Sequence, residues 1–198
     1  VAFALDNNPY SKRSGAFLQE GTLTVNLQNG KRRTVTVTLS NLDGEYEYNV
    51  NKVWFGQQIR LSEGLVLPNG QEFYLPQGVF YVVNPEESVR PGRNTVTWTM
   101  DDKWAYLDGT LFGNLEGIYE VPVNTNVFTG VQSVLALPRG NGYPVDNVTP
   151  LFTDYYNDQT TTLADGSTVS YVLSPYTARF EGDDQTYADV VLEMNTMI

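Results

Sequence analysis

Two runs of strict alternation between apolar and polar residues constrain the fold more than any other feature of this sequence. Residues 22–27 read Thr-Leu-Thr-Val-Asn-Leu, and residues 34–39 read Thr-Val-Thr-Val-Thr-Leu. A period of two places every second side chain on one face of a strand, and β-branched residues favour that conformation. The intervening Gln28-Asn29-Gly30 can supply the positive φ that a tight reversal needs. Residues 21–48 therefore predict a β-hairpin with one apolar row facing a core.

Further strands are predicted after this hairpin. Residues 68–71, Pro-Asn-Gly-Gln, are typical of a second hairpin turn, and Pro76 and Gly78 indicate a bulge or corner in the returning strand. Because each apolar row needs a core, residues 15–107 predict an antiparallel β-barrel that is closed or nearly closed.

Several positions of this barrel are assigned to a core or to a loop. Leu23, Val37 and Ile59 are predicted to be buried on its inner side. The pair Trp54-Phe55 is predicted to cover one end of the barrel as core packing. Residues 84–92, which contain two prolines and a glycine, are predicted to be a loop.

The flanks of the barrel show weaker patterns. Residues 1–20 predict an arm or an edge strand. Residues 95–100 repeat the alternation of the first hairpin, and residues 101–107 predict one capped turn of helix where the chain leaves the sheet.

The composition changes beyond the barrel, and we divide the chain into a β-barrel domain of residues 1–119 and a smaller α+β segment of residues 120–198. Residues 124–126, Asn-Thr-Asn, predict the cap of one helix, and residues 164–167, Ala-Asp-Gly-Ser, the tip of a short hairpin. A second helix is predicted to begin at residues 182–186 and to reach the end of the chain. Since the chain starts without methionine and stops inside that helix, we expect it to be part of a longer protein.

The lack of cysteine and histidine excludes most catalytic and metal-binding chemistry. Thiolate nucleophiles, disulfides, cysteine-ligated zinc and imidazole bases all need one of these two residue types. We therefore predict that the chain is not an enzyme and binds no cofactor. No apolar run approaches the roughly 18 residues that a membrane-spanning helix needs, so no membrane span is predicted.

The net charge of −11 is unevenly distributed. Of the 12 lysines and arginines only Arg139 and Arg179 follow Trp104, whereas acidic residues are present in both halves. One interpretation is that the excess negative charge only keeps the protein in solution. The other is an acidic surface past which a polyanion slides, because like charges repel within a Debye length. Neither interpretation predicts specific binding of nucleic acid.

Lys31, Arg32 and Arg33 form the only basic run, at the tip of the first predicted hairpin. A solvated turn is one interpretation. The other is an assembly interface that docks on an acidic neighbour, which the acidic second half of another copy could provide.

Clustered carboxylates are candidates for metal or catalytic sites. Asp101-Asp102 and Asp183-Asp184 could bind a hard cation, but helix capping accounts for both pairs, and no metal site is predicted. A glycoside hydrolase needs only two carboxylates and no histidine. Glu116, Glu120 and Glu181 could serve in that way, although nothing in the sequence pairs them.

Five segments, taken in order, resemble the baseplate hub and tail-tip proteins of tailed bacteriophages. These segments are residues 21–25, 32–46, 54–61, 76–80 and 102–109, and the predicted helix at 183–190 is similar to the start of that family's second domain. The resemblance implies a tail-tube-type β-barrel that assembles as a ring, typically a homotrimer, between the tail tube and the distal tail parts. It implies tube, distal tail and fibre or receptor-binding proteins as partners, a place in the virion tail after synthesis in the host cytoplasm, and no catalytic residue.

A carbohydrate-binding β module is the alternative hypothesis. Tyrosine-rich loops at residues 142–144 and 154–157, together with the tryptophans, could act as stacking platforms for sugar rings. A ring or particle-bound species in solution favours the hub, and a monomer that binds glycans favours the module.

Overall fold

The computed structural model describes residues 2–5, 18–26, 33–42, 44, 46–49, 53–139, 143–144, 160–170, 172–181 and 184–197. The chain forms two compact units, Val1–Ala105 and Tyr106–Ile198. A mainly β fold with a small helical part was predicted, and this is confirmed. The division between the units comes earlier in the chain than the predicted domain boundary at residue 119.

The first unit is an antiparallel sheet of six described strands. They are β1 (Ala2–Leu5), β2 (Leu18–Val25), β3 (Arg33–Ser40), β4 (Gln58–Val66), β5 (Glu72–Arg90) and β6 (Arg93–Asp101). Their order across the sheet is β1-β4-β5-β6-β3-β2, which leaves β1 and β2 at the two edges. The sheet curls into half a barrel. This is seen from one cleft that both β2 and β4 line, although three strands lie between them in the sheet.

The first predicted hairpin is confirmed as the antiparallel pair β2 and β3, in which Leu23 is opposite Val35. Val37 and Ile59 are buried in the core as predicted. The prediction for Leu23 is wrong, since 36% of this residue is exposed. Leu23 has the expected inward orientation, but β2 is an edge strand, so only β3 flanks it within the sheet. Alternation fixes which face a side chain is on and does not fix what covers that face.

The core of the first unit lies on the inner face of the sheet. Alternate residues of β3 and β6, of the start of β4 and of the middle of β5 contribute apolar side chains that are almost fully buried. These residues are Val35, Val37, Leu39, Ile59, Leu61, Phe80, Val82, Val96, Trp98 and Met100. Tyr46 closes part of this core edge-on to Trp98, with ring centroids 5.5 Å apart.

The second predicted hairpin and its bulge are confirmed. The turn between β4 and β5 closes with hydrogen bonds from the Gly70 nitrogen to the Leu67 oxygen and from the Leu67 nitrogen to the Gln71 oxygen, each 2.8 Å long. Only Gly70 in this turn has a positive φ, of 79°. The ladder register shifts where Leu61 and Ser62 of β4 pair with Gly78 and Pro76, and Gly78 has a φ of 135° that favours glycine.

Residues 84–92 were predicted to be a loop, and this is wrong for most of them. β5 continues to Arg90, where Pro91 and Gly92 make the turn into β6. Beyond Tyr81 the described pairing of β5 is with β6 alone. A proline is tolerated in such a segment, because its nitrogen can face the side that has no ladder hydrogen bonds.

The predicted helical turn after the sheet is confirmed as one 3₁₀ turn, Lys103–Tyr106. Asp102 connects this turn to the sheet. Its Oδ1 accepts a hydrogen bond from the Trp104 nitrogen, and its Oδ2 accepts one from the Arg33 nitrogen, both 3.0 Å long.

The second unit contains two described helices among short strand pairs. The strands are β7 (Tyr119–Val121), β8 (Pro138–Arg139), β9 (Tyr143–Pro144), β10 (Thr160–Thr162), β11 (Thr168–Ser170) and β12 (Ala178–Phe180), paired as β7 with β12, β8 with β9 and β10 with β11. The helices are α1 (Val127–Leu135) and α2 (Tyr187–Thr196), which pack against each other. Neither is long and apolar enough to cross a membrane.

The sequence signals for both helix starts are largely confirmed. The Asn126 side chain caps α1 by accepting a hydrogen bond of 3.1 Å from the Thr129 nitrogen. α2 is capped by Thr186 and Asp189 in a reciprocal capping box, and not by Asp184, which is exposed. α2 ends at Thr196, before the last residue of the chain, with Met197 as its C-cap.

Candidate assembly surface

The tip of the β4–β5 hairpin exposes apolar side chains on the same face of the strands that forms the core. Ile59 and Leu61 of β4 are buried, and Leu65 follows on that face two positions after Glu63. In the ladder Leu65 pairs with Phe73, and Glu63 pairs with Leu75. Leu65, Phe73 and Leu75 are 61%, 55% and 52% exposed. We call these three residues the hairpin-tip face.

The hairpin tip is exposed because it projects past the strands that flank it. On one side β1 pairs with β4 only as far as Ser62. On the other side β6 pairs with β5 only from Tyr81 onward. Residues 63–66 and 72–77 therefore form a ribbon of two strands with no third strand beside it among the described residues. Such a ribbon cannot cover its own apolar face.

The polar side chains of the tip are fixed by local hydrogen bonds. The Tyr74 hydroxyl donates to Glu72 Oε2 at 2.8 Å, and this hydrogen bond is the main cause that raises the pKa of Tyr74. The Gln77 Nε2 donates to Glu63 Oε2 at 3.0 Å. The first hydrogen bond joins two positions of β5, and the second joins β5 to β4 across the ribbon.

A second exposed apolar row lies on β2. Leu23 and Val25 point to the inner side of the sheet opposite Val35 and Arg33, and they are 36% and 60% exposed. We call Leu23 and Val25 the edge row. In the described part of the chain the outer side of β2 pairs with no strand. Unpaired edges of this kind are templates for association with another chain.

A cleft of about 210 Å³ connects the edge row to the base of the hairpin. β2 and β3 provide one wall, and Leu61, Glu63 and Gln77 provide the other. Most of its lining is apolar, which includes Leu23, Val35 and Val37. The core of the half-barrel therefore opens to solvent between two exposed apolar rows.

Arg33 is the one described member of the predicted basic interface, since Lys31 and Arg32 lie outside the described residues. The Arg33 side chain is half-buried against its own chain. Its Nη1 donates to the Gln77 carbonyl oxygen, and its Cζ lies 5.7 Å from the centre of the Phe80 ring. The structure thus gives Arg33 a role in joining β3 to β5.

Trp54 and Phe55 were predicted to be core residues, and this is wrong, because they are 44% and 48% exposed. Tyr48 stacks on Trp54 with ring centroids 4.7 Å apart and planes within 5°. Phe55 stands edge-on to both rings. The loop is anchored by a hydrogen bond of 2.8 Å from the Gly56 nitrogen to the Val82 oxygen. We call Tyr48, Trp54 and Phe55 the aromatic cluster.

Of the carboxylates considered as metal or catalytic groups, Glu120 and Glu181 lie near each other, since Glu120 is the register partner of Arg179, two residues before Glu181. Asp101 is buried and accepts a hydrogen bond of 2.8 Å from Thr34 Oγ1. Glu116, Glu120 and Glu181 are exposed, and Glu181 forms an ion pair with Arg179 at 2.9 Å. Among the residues that the structure describes, no group of three or more acidic side chains could hold a metal ion. Asp183, residue 142 and residues 154–157 lie outside the described residues.

The exposure of the hairpin-tip face was not predicted from the sequence. A signal for it was present, because two dense apolar runs, Leu65-Val66-Leu67 and Phe73-Tyr74-Leu75, flank a turn. Dense runs of this kind are typical of strands that are buried on both faces, so the runs predicted buried strands and not exposed side chains.

Comparison of the chain with family models, with curated proteins and with solved structures finds no match.

Proposed function

We propose that the chain is a structural component of a bacteriophage tail tip or baseplate hub. It assembles as a ring, with three copies as the expected number, between the tail tube and the distal tail proteins. In this proposal the half-barrel of the first unit is a tail-tube-type barrel whose closure depends on neighbouring copies. The protein is then a virion component with a mechanical role and no catalytic one.

The observation that supports this proposal most directly is the incomplete cover of the first unit. The hairpin-tip face, the edge row and the cleft leave apolar surface exposed on one side of an otherwise well-packed sheet. A monomer gains nothing from such a surface, whereas contiguous exposed apolar patches mark sites of association. An edge strand with an unpaired outer side adds to the same argument.

The resemblance adds the kind of assembly. Its segments fall on the β2–β3 hairpin, on the start of β4, on the bulge of β5 and on the 3₁₀ turn after β6. These segments include a bulge, which bends a strand, and the turn where the chain leaves the sheet. A ring-forming barrel therefore accounts for both the sequence resemblance and the exposed surface.

The test is the mass of the full chain in solution, measured by analytical ultracentrifugation over a range of concentrations. A chain of 22.2 kDa should give a discrete closed species with the mass of a small ring. Sedimentation as a monomer over the whole concentration range would contradict the proposal. Open-ended polymers would contradict the closed ring but not association itself.

A carbohydrate-binding module remains a second candidate because of the aromatic cluster. Exposed, fixed aromatic rings are the surfaces on which sugar rings stack, and the Trp54 and Phe55 side chains meet this requirement. The Gln57 side chain lies beside the cluster, where its Oε1 accepts a hydrogen bond of 3.3 Å from the Trp54 nitrogen. The cluster is nevertheless a smaller exposed surface than the hairpin-tip face and edge row together, so we rank assembly first.

Glycan binding is tested by screening the chain against a glycan array and by measuring Trp fluorescence with the glycans that bind. If the module is correct, Trp54→Ala abolishes binding and the matched Trp104→Phe variant does not. Absence of binding to every glycan on the array would remove this candidate.

A further inference from the structure

We propose that the hairpin-tip face of one copy packs on the edge row of a second copy and covers the mouth of its cleft. This inference rests on the proposed function, since it names the two surfaces that meet in the ring. The contact is head-to-tail, because it joins two different surfaces of the same chain.

The hairpin-tip face has the properties of an inserting element. Leu65, Phe73 and Leu75 lie side by side on one face, and the ribbon that carries them projects beyond the strands on either side. The Gln77–Glu63 hydrogen bond joins the two strands of this ribbon, and the Tyr74–Glu72 hydrogen bond lies along one of them.

The edge row and the cleft have the properties of a receiving surface. Leu23 lines the cleft and is also exposed, so it forms part of the rim. Below the rim, Val35 and Val37 are almost fully buried, which makes the floor of the cleft continuous with the core. An aromatic or branched apolar side chain placed at this mouth would extend that core.

A second copy is the occupant that satisfies both surfaces. A partner of another sequence could cover the hairpin-tip face or the edge row, but one repeated contact between identical copies covers both in every copy of a closed ring. In the structure the hairpin-tip face does not cover the cleft of its own chain, since its three residues are more than half exposed and do not line that cleft.

Charge supports the same pairing. From Leu61 to Val89 the sequence has no lysine or arginine, and Glu63 and Glu72 make the hairpin acidic. At the other surface the sequence has Lys31 and Arg32 in the connection from β2 to β3, directly before Arg33, whose backbone is the register partner of Val25. Opposite charges at the rim of an apolar contact orient the two partners as they meet.

Site-directed cross-linking tests the contact, because the chain has no cysteine of its own. Leu23→Cys and Phe73→Cys are made as separate proteins with tags of different mass, mixed and mildly oxidised. Both positions are exposed, so neither change should alter the thermal unfolding temperature. We expect the mixed Leu23–Phe73 cross-link to form faster than either cross-link between identical variants. Val89→Cys, which lies on the same strand as Phe73 and is 73% exposed, is the matched control and should give little product with Leu23→Cys.

The strength of association provides a second measurement. Phe73→Ser should raise the dissociation constant of the assembly about tenfold or more, and Val89→Ser should change it less than about twofold. If the wild-type chain associates but cross-links mainly Phe73 to Phe73, or if Phe73→Ser associates normally, this contact is wrong and the proposed ring survives. If the wild-type chain stays monomeric at every concentration, the contact and the proposed function both fail.

Discussion

At the scale of single residues, two positions with the same place in an alternating pattern can differ in how far neighbouring strands bury them. Leu23 and Val37 belong to equivalent alternating rows, and both face the inner side of the sheet. Val37 is 1% exposed because β2 and β6 flank its strand, whereas Leu23 has a neighbouring strand on one side only. The same substitution should therefore have very different consequences at these two positions.

We expect Val37→Asp and Ile59→Asp each to unfold the first unit, and Leu23→Asp to leave it folded. An unpaired charge in a buried apolar site costs several kcal/mol, comparable with the whole stability of a domain. A surface substitution usually changes the free energy of unfolding by no more than about 0.5 kcal/mol. Thermal unfolding followed by circular dichroism measures the difference. A native unfolding temperature for either core variant would show that our assignment of the core face is incorrect.

Gly78 is a position where the backbone itself requires glycine. Its φ of 135° is one that side chains rarely adopt, and a Cβ there would lie 3.0 Å from an Arg33 guanidinium nitrogen. We expect Gly78→Ala to lower the free energy of unfolding by about 1–3 kcal/mol. Gly117→Ala is the control, since a Cβ at Gly117 meets nothing within 4 Å and the φ is ordinary. Equal stability of the two variants in a urea titration would contradict this expectation.

At the scale of elements, local signals located the caps and turns well, and long-range packing was not visible in the sequence. Asn126 and the Pro68-Asn69-Gly70 turn were recognised because their effect is confined to a few neighbouring residues. The close packing of α1 on α2 was not predicted. It depends on Gly130, where a Cβ would lie 1.9 Å from the Met194 Cε atom.

Gly130 and Met194 should therefore be energetically coupled. Gly130→Ala adds a methyl group against a fully buried Met194 side chain, which overpacks the interface even though alanine favours the helix. In a background of Met194→Ala the same change should be tolerated better, with a coupling energy of about 0.5–3 kcal/mol. A double-mutant cycle of chemical unfolding measures this coupling. A coupling near zero would mean that the helices move apart at no cost.

At the scale of the whole molecule, the charge distribution gives a prediction about assembly. Lys31 and Arg32 remain candidates for a salt-sensitive contact with an acidic neighbour, whereas Arg33 joins β3 to β5 of its own chain. The charge test is therefore sharper when Arg33 is left unchanged.

We expect the double variant Lys31→Glu and Arg32→Glu to shift the assembly toward monomer at low salt and to approach the wild type at high salt. Screening shortens the range of surface electrostatics to about 8–10 Å near physiological ionic strength, which is why the effect should depend on salt. Arg90→Glu with Arg93→Glu makes the same change of charge at the β5–β6 turn and serves as the control. Sedimentation at a low and a high salt concentration measures the fraction of monomer for both double variants. Equal assembly of both double variants at low salt would remove the electrostatic part of the proposal.

The sequence alone determined most of the strand pattern, most of the turns and caps, and the exclusion of thiol and imidazole chemistry within this chain. These features follow from residue type and spacing over short distances, as at Gly78 and Asn126. Only the tertiary structure decided which apolar residues are covered. Leu23, Phe73 and Trp54 are as apolar as buried residues of the same strands and loops, but no described part of the chain covers them fully. Burial depends on the neighbours that a strand or loop has in space, and a residue's own sequence pattern does not contain that information.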